Sequence, residues 1–511
     1  MKKSILQSRR PFAALSALAV AACCAMLAGC NVGPKYLPPT MTAPPAFNES
    51  TAQSNEAGVW TVAQPQDAAL RGKWWEIYNE PDLNSLEDEL NIDNQSIRQS
   101  FENFMEARAL VREARSQYFP TVSVGGSYTR SQSSANLSSS TSSGTSGGKQ
   151  TQVFSLPADV SWEPDLWGKV RNAVRASQYT AQLTAADLEN ERLTEQASLT
   201  EYFFEIRGQD ALQKLLNETV EADKKALEAV RAAYDAGVGD QISVVEAQTT
   251  YESAQSAAIN LGIARAQYEH AIALLVGKPA STFSIPVEPK TSAPPPIPVG
   301  LPSQLLERRP DIAAAERNMA AANAQIGVAR AAFYPALTLS ATGGVESEAI
   351  KNLLDWPSRF WSVGPSISET VYDGGLRRAT VNQYTATYNA NVAAYRQSVL
   401  VAFEQVEDSL AAVRILSQQI LRQQEAVESS RTFLRLESTR YEAGIDPYID
   451  VVTAQTTLLS NRQSLTNLQV QEMTASVQLI EALGGGWDRS QLPTPAQITQ
   501  RPTKLETAIQ H

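Results

Sequence analysis

The sequence contains few histidines and cysteines, and fewer basic than acidic residues. Its 511 residues include two histidines and three cysteines, and 43 basic residues against 54 acidic ones give a net charge of −11. So small a number of imidazole and thiol groups argues against a His-rich metal site and against Cys–His or Ser–His catalysis. A nucleic-acid-binding protein would carry the opposite net charge. We therefore expect no catalytic residues, no metal, no organic cofactor and no nucleic-acid partner.

Long hydrophobic runs are also missing beyond the first thirty residues. No later segment reaches the roughly eighteen consecutive apolar residues that a transmembrane helix requires. We expect that any part of the chain that crosses a membrane does so as β-strands.

The first thirty residues predict export and lipidation. Residues 1–29 have the layout of a secretory signal peptide, with four basic residues followed by an apolar stretch. The stretch ends in Leu-Ala-Gly-Cys, which resembles a bacterial lipobox, in which Cys30 carries lipid and becomes the mature N-terminus. The two earlier cysteines leave with the signal peptide, so Cys30 is the last one remaining. The alternative is an ordinary signal peptide followed by an incidental cysteine. Asn31 after the lipobox cysteine implies sorting to the outer membrane.

The remainder of the chain contains two copies of one unit. The sequence VVEAQTT at 244–250 recurs as VVTAQTT at 451–457, and YDAG at 234–237 recurs as YEAG at 441–444. Both pairs are separated by 207 residues, which indicates a duplicated structural unit. The offset is larger before residue 163, and we attribute the change to a Ser/Thr/Gly-rich loop at 131–148.

Each unit has the pattern of a helix, two strands, a very long helix and a shorter returning helix. Pro120 and Pro335 end the first helix of each unit, because proline cannot continue the hydrogen-bond ladder. The strands alternate in hydrophobicity, and apolar residues seven apart along the long helices predict coiled-coil packing. The predicted helices are 96–118, 169–234, 242–276, 311–334, 376–442 and 449–483, and the predicted strands are 121–130, 153–162, 336–345 and 360–370.

The predicted organisation is a mixed α and β protein with two tandem repeats. The segments are a signal peptide (1–29), a lipidated extended segment (30–80), the first repeat (81–300), the second repeat (301–486) and a polar C-terminal tail (487–511).

Several stretches carry a resemblance to a known family. The segment 301–335, which contains LLERRPDIAAAERNMAAANAQIGVARAAFYP, is the most specific. WEPDLWGK at 162–169, YDGGL at 372–376, the tryptophans at 74–75 and the lipobox Cys30 fit the same pattern. From about residue 30 to 486 the chain is similar to the TolC-like outer-membrane efflux family, in its OprM/NodT-type lipoprotein branch.

The resemblance implies a trimeric channel. Three copies would join four strands each into an outer-membrane β-barrel that continues into a long periplasmic α-helical barrel. Independently, four strands cannot close a barrel, since bacterial membrane barrels have about eight strands or more. The implied function is the passive exit duct of an RND-type tripartite efflux pump. Its implied partners are two further copies of the chain, a periplasmic adaptor, an inner-membrane RND transporter and outer-membrane lipid.

The turns that follow the long helices are rich in small residues and lie at the end farthest from the predicted strands, which favours contact with a helical partner. We predict that Gly237 and Val238 in the first turn, and Gly444 and Ile445 in the second, dock the adaptor. A simpler interpretation is that both glycines only supply the left-handed turn of a helix end. The resemblance implies that the second turn, which includes Asp446 and Thr453, forms the periplasmic gate, with Ile449 at an apolar constriction and Asp450 at an acidic ring. We predict that Arg440 and Tyr441 hold the closed tips through hydrogen bonds to neighbouring carboxylates.

Local roles offer an alternative for the acidic gate residues. Asp446 before Pro447 fits a helix N-cap, and Asp450 fits the favoured position of an acid near a helix N-terminus. Thr453 stands where the family commonly has a second aspartate, which implies weaker cation selectivity.

Three other functions are left open. A type I protein-secretion duct has the same family pattern, but the lipobox argues against it. A periplasmic coiled-coil adaptor would have one helical hairpin, whereas this chain has two. An enzyme would need a catalytic constellation, which we do not find.

Overall fold

The computed structural model describes residues 31–41, 43–49, 72–134, 150–297 and 305–500. These residues form a mainly helical structure with one antiparallel sheet. Cys30 lies outside the described residues.

None of the described helices combines the length and the apolar composition that crossing a membrane requires.

The helices of the described structure fall into two successive sets. The first set is α1 (Pro81–Asp93), α2 (Gln95–Ser116), α3 (Lys169–Asp235) and α4 (Gln241–Leu275). The second set is α5 (Leu305–Arg308), α6 (Pro310–Ala331), α7 (Leu376–Glu442) and α8 (Tyr448–Ala482), followed by α9 (Pro495–Thr499).

Corresponding helices of the two sets have equal lengths. Helices α3 and α7 each have 67 residues, α4 and α8 each have 35, and α2 and α6 each have 22. A 67-residue helix is roughly 100 Å long. Helix α3 packs against α2 and α6 in its first part and against α4 and α8 in its second part, while α7 packs against α6 and α8.

Helix α1 is not among the predicted elements. It is separated from α2 by Asn94, whose backbone is extended and whose Oδ1 accepts a hydrogen bond from the Ile97 N–H at 2.9 Å. The Asn94 amide also donates to the Leu275 carbonyl at 2.9 Å. One side chain thus caps the start of α2 and binds the end of α4.

Helices α2 and α6 end two or three residues before the predicted limits. The Tyr118 N–H donates to the Arg115 carbonyl at 3.1 Å, and the Tyr334 N–H donates to the Ala331 carbonyl at 3.2 Å. These bonds span three residues, so the final residues before Pro120 and Pro335 form tight turns instead of α-helix.

The sheet consists of five antiparallel strands. These are β1 (Thr121–Val124), β2 (Ser127–Gln132), β3 (Gln150–Trp162), β4 (Ala336–Ser347) and β5 (Arg359–Ser368). The order is β1-β3-β4-β5, and β2 also pairs with β3.

The predicted single strand 121–130 is wrong in one respect, because Gly125 and Gly126 interrupt it. The opposing strand β3 contains Pro157, which has no N–H to donate to the ladder. The Gly125 N–H still donates to the Pro157 carbonyl at 3.0 Å, and β1 and β2 both pair with β3. The described part of the chain therefore has five strand segments instead of the predicted four.

The largest core cluster lies at mid-length of the helices. It joins Trp74 and Trp75 to α1, α3 and the end of α8, and Leu83, Phe203 and Ile480 are fully buried in it. This cluster fixes the short N-terminal helices against both helix sets.

The C-terminal segment is packed as far as residue 500, which the predicted polar tail did not anticipate. Trp487 and Ile498 are buried, and Ile498 contacts Val111 of α2 in a small cluster. Arg108 donates to the Gln500 carbonyl at 3.0 Å. Most side chains of the segment are polar, so its few buried residues leave no periodic pattern in the sequence.

Candidate functional site at the helix turns

The same backbone motif ends both long helices. Gly237 has a φ of +77° and Gly444 a φ of +71°, in the left-handed region that favours glycine. After α3, the Val238 N–H donates to the Ala233 carbonyl at 3.0 Å. After α7, the Ile445 N–H donates to the Arg440 carbonyl at 3.0 Å. These bonds satisfy carbonyls that the helix end would leave unpaired.

Apolar side chains project from both turns. Val238 is 83% exposed and Ile445 is 64% exposed, and Ile449 in the first turn of α8 is also exposed. Both tips therefore present apolar surface that the described residues of one chain do not cover.

The two returning helices begin differently. Asp240 is the N-cap of α4, since its carboxylate accepts the Ser243 N–H at 2.7 Å and the Ser243 hydroxyl at 3.1 Å. These hydrogen bonds, led by that of the backbone, lower the pKa of Asp240. The N-cap of α8 is Pro447, which has no capping side chain. The interpretation of Asp446 as an N-cap is therefore wrong.

Asp446 instead forms an ion pair with Arg440. The guanidinium binds the carboxylate through two nitrogens, and the Nη2–Oδ1 distance is 2.9 Å. This hydrogen-bonded pair lowers the pKa of Asp446 and raises that of Arg440. The pair ties the last turn of α7 to the loop before α8.

Two further carboxylates lie beside this ion pair. Oxygen atoms of Glu437, Asp446 and Asp450 are within 4.8 Å of one another. Partial loss of solvent, and then the negative charge of Asp446, raise the pKa of Glu437. Arg440 offsets part of this charge. The sequence prediction missed Glu437, although its position three residues before Arg440 places both on one helix face.

The predicted gate residues do not all share one surface. Arg440, Asp446, Asp450 and Thr453 line an open depression together with Glu437 and two apolar residues of α7, Phe433 and Leu436. The Thr453 hydroxyl donates to the Ile449 carbonyl at 2.8 Å, within its own helix.

Tyr441 faces the interior of the tip. Its ring lies edge-on to the ring of Tyr448, with a centroid separation of 5.3 Å. Burial, and then the nearby Asp240 carboxylate, raise the pKa of Tyr441. Both tyrosines belong to the tip cluster, whose buried members are Leu227, Val230, Ala247, Tyr448 and Val451.

The described N-terminal segment starts at the opposite end of the helices. The Asn31 Oδ1 accepts a hydrogen bond from the Asn172 amide of α3 at 2.9 Å, and the Val32 N–H donates to the Trp167 carbonyl at 3.4 Å. Trp167 stacks on Tyr334 with a centroid separation of 4.8 Å, between the strands and the helices. The residue after Cys30 therefore lies where the sheet meets the helices.

Comparison with known proteins gives consistent matches. A family model described as outer membrane efflux protein matches residues 86–278 and 301–485. The probable efflux pump outer membrane protein TtgC of Pseudomonas putida KT2440 is 31% identical over 476 residues, covering 92% of this chain and 96% of that protein. The outer membrane protein OprJ of Pseudomonas aeruginosa PAO1 is 30% identical over 484 residues, covering 94% and 97%. The solved structure of the outer-membrane channel OprN has a TM-score of 0.78 at 27% identity, covering 90% of this chain and 100% of that chain.

Proposed function

The chain belongs to the outer membrane efflux protein family and is an outer-membrane component of an efflux pump, and we propose that three copies form the exit duct of that pump. The observation that carries the proposal is the pair of helical hairpins of equal length, each built on a 67-residue helix. Helices of this length suit a conduit across a wide aqueous space better than a compact core.

The packing of the long helices supports a closed ring of chains. Helix α3 packs closely against α2, α4, α6 and α8, whereas α7 packs closely against α6 and α8. Far fewer residues of α7 than of α3 are buried among the described residues, which leaves α7 with an open side. Leu400, Ile415 and Leu421 of α7 are exposed, and so are Ile259 and Ile263 of α4. A second copy would cover the open side of α7 with its own α2 and α4. Such a head-to-tail contact closes into a ring when the rotation fits, which supports the trimer.

The sheet has the dimensions of a membrane-spanning barrel segment. Strands β3, β4 and β5 have 13, 12 and 10 residues, comparable to the about ten residues of a tilted transmembrane strand. Trp361, Val363 and Ile367 of β5 are exposed at alternate positions, which suits contact with lipid. Three such sheets joined edge to edge would give one barrel without free edges.

The position of Asn31 supports lipidation of Cys30. Tryptophan and tyrosine are enriched at membrane interfaces, so the stacked Trp167 and Tyr334 fit the inner boundary of the outer membrane. A lipid on Cys30 would reach the bilayer from this position without additional linker residues.

The turns after the long helices are the proposed contact with the rest of the pump. Their exposed Val238 and Ile445 would dock a periplasmic adaptor, which in turn would connect the duct to an inner-membrane RND transporter. In the trimer, three copies of Asp450 and Ile449 would surround the axis. Convergent carboxylates attract cations, and apolar side chains close a pore by excluding water.

Reconstitution of the full-length lipoprotein tests the duct directly. Native mass spectrometry of the purified protein should give a trimer, and planar bilayers should show single channels of low conductance. The same chain with 121–162 and 336–368 exchanged for short linkers is the control and should give no channels. A monomer that never conducts would refute the proposal.

A further inference from the structure

One carboxylate oxygen of Asp223 is buried without a hydrogen-bond partner where α3 faces the second hairpin. Asp223 of α3 is 4% exposed, and its Oδ2 accepts no hydrogen bond from the described residues. A buried ionised carboxylate without a donor is strongly unfavourable, because it loses its hydration and gains nothing in return. The side chain is buried by its own chain, so a neighbouring copy cannot supply the missing donor.

Asp223 lies level with a second acceptor on α8. Two pairs of residues show which positions of α3 and α8 lie opposite each other. Glu218 forms an ion pair with Arg462 at 3.3 Å, and nearer the tip Leu227 and Val451 belong to the same tip cluster. Asp223 and Gln455 lie between these two levels. The Gln455 Oε1 is also buried without a hydrogen-bond donor among the described residues. Two oxygen acceptors thus occupy the same level of the interface.

A proton on Asp223 would allow one hydrogen bond to satisfy both oxygens. A protonated carboxyl has one O–H to donate, and the amide oxygen of Gln455 is the acceptor at that level. An ionised Asp223 would leave both oxygens unsatisfied.

The duplicated unit provides an internal reference for this position. Ser430 of α7 lies 207 residues after Asp223 and is likewise buried. Its hydroxyl donates to the Val427 carbonyl at 3.0 Å. The corresponding position of the second hairpin therefore holds a neutral side chain whose hydrogen bond is made, and the helix packing itself does not require a charge there.

We propose that Asp223 is a proton-dependent clasp, which holds α8 against α3 when it is protonated and weakens their packing when it is ionised. Tyr448 of α8 interacts electrostatically with Asp223, and Tyr441 of α7 and Glu246 of α4 interact with Tyr448 in turn. Burial raises the pKa of Tyr448 to about 12, so this hydroxyl does not titrate between about pH 5 and about pH 7.

The direction of the pH effect follows from the two states of the carboxyl. Burial raises the pKa of Asp223 from 3.8 to about 6 in the packed state, while a solvated Asp223 keeps the ordinary value. The packed state binds the proton more tightly, so its advantage is complete in acid and is lost as the pH rises towards about 6. Between about pH 5 and about pH 7, these two values predict an about tenfold increase in local opening.

Hydrogen exchange of the full-length trimer in detergent tests the clasp. Amides of α8 in 448–460 should lose protection about tenfold from about pH 5 to about pH 7, after correction for intrinsic exchange. Amides of α4 in 241–253 are the internal reference and should not change. Protection of 448–460 should be the same at both pH values in Asp223→Asn. The same result is expected in Asp223→Ser, which introduces the residue found at the corresponding position 430.

Two results would overturn the proposal. One is an unchanged protection of 448–460 in the wild-type protein, which would mean that Gln455 turns its amide N–H to an ionised Asp223. The other is a pH response that persists in both Asp223 variants. Gln455→Leu should lower protection at about pH 5, where it removes the acceptor of the protonated form, and should not lower it at about pH 7, where that acceptor is unsatisfied. The measurement concerns helix packing alone, so its outcome does not depend on the proposed exit duct.

Discussion

The two acidic residues that precede the returning helices have different roles, and this difference can be measured. Asp240 caps α4, whereas Asp446 pairs with Arg440 at the end of α7. We expect Asp446→Ala to raise the conductance of the closed channel several-fold, since it frees the loop before α8. The melting temperature should hardly change, because exposed ion pairs contribute little stability. Asp240→Ala is the matched control and should lower the melting temperature without changing conductance.

The pH dependence of the Arg440–Asp446 pair is a separate expectation. Because Arg440 lowers the pKa of Asp446, the carboxylate is ionised at any pH above its ordinary value of 3.8. The contribution of the pair is present above that value and is lost as the pH falls through the lowered pKa. The ratio of conductances between Asp446→Ala and wild type should therefore be equal at about pH 5 and about pH 8. A ratio that approaches one at about pH 5 would contradict the pairing.

Ile449 and Asp450 in the first turn of α8 give the sharpest gate prediction. If Ile449 and Asp450 converge on the trimer axis, Ile449→Ala combined with Asp450→Ala should raise single-channel conductance and lower cation preference in planar bilayers. The thermal stability of the trimer should be almost unchanged, because in one chain Ile449 is exposed and Asp450 is only partly buried. Unaltered conductance together with a lower melting temperature would mean that these residues only complete a helix end.

At the level of secondary-structure elements, the sequence predicts the helix ends that depend on nearby residues. Glycine and proline act within a few residues, so the predicted long helices 169–234 and 376–442 end within one residue of α3 and α7. Gly237 and Gly444 mark those ends because a left-handed turn after a helix favours glycine at any tertiary position.

Features that depend on distant contacts could not be predicted in the same way. Asp446 pairs with Arg440 only because the fold brings the loop close to the end of α7. The local sequence Asp446-Pro447 fits a helix N-cap equally well. Asn94 separates α1 from α2 through a bond to Leu275, 181 residues away. The interruption at Gly125 depends on Pro157 of the opposing strand, which a pattern within one strand cannot reveal.

The exposed tips of the two hairpins predict a physical contact with the adaptor. Photo-crosslinking amino acids at Val238 and Ile445 should capture a periplasmic adaptor in cells, because both apolar side chains are exposed beyond the last helical turn. A crosslinker at Ile259, which is exposed on α4 away from the turn, is the control and should give only crosslinks between copies of the chain. Self-crosslinks alone at all three positions would count against docking at the tips.

At the scale of the whole molecule, the described structure has two ends with different chemistry. The sheet and the stacked aromatic pair Trp167 and Tyr334 lie at one end, and the acidic, apolar-tipped turns lie at the other. The N-terminal segment begins beside Trp167 and runs along the helices, where the Tyr36 hydroxyl donates to the buried Glu316 carboxylate at 2.6 Å. The chain terminus that would carry lipid is thus held at the end that would enter the membrane.

This arrangement gives a prediction for Cys30 that separates lipid attachment from membrane insertion. Incorporation of labelled palmitate should disappear in Cys30→Ser, since Cys30 is the last cysteine of the predicted mature chain. Part of the variant should nevertheless stay in the outer-membrane fraction after a salt wash, because the strands would still insert and the contacts from Asn31 onward do not involve the lipid. Asn31→Ala is the matched control: it removes the hydrogen bond to Asn172 and should retain the label. Label that persists in Cys30→Ser would refute the lipoprotein assignment, and complete release of that variant into the soluble fraction would refute anchoring by the strands.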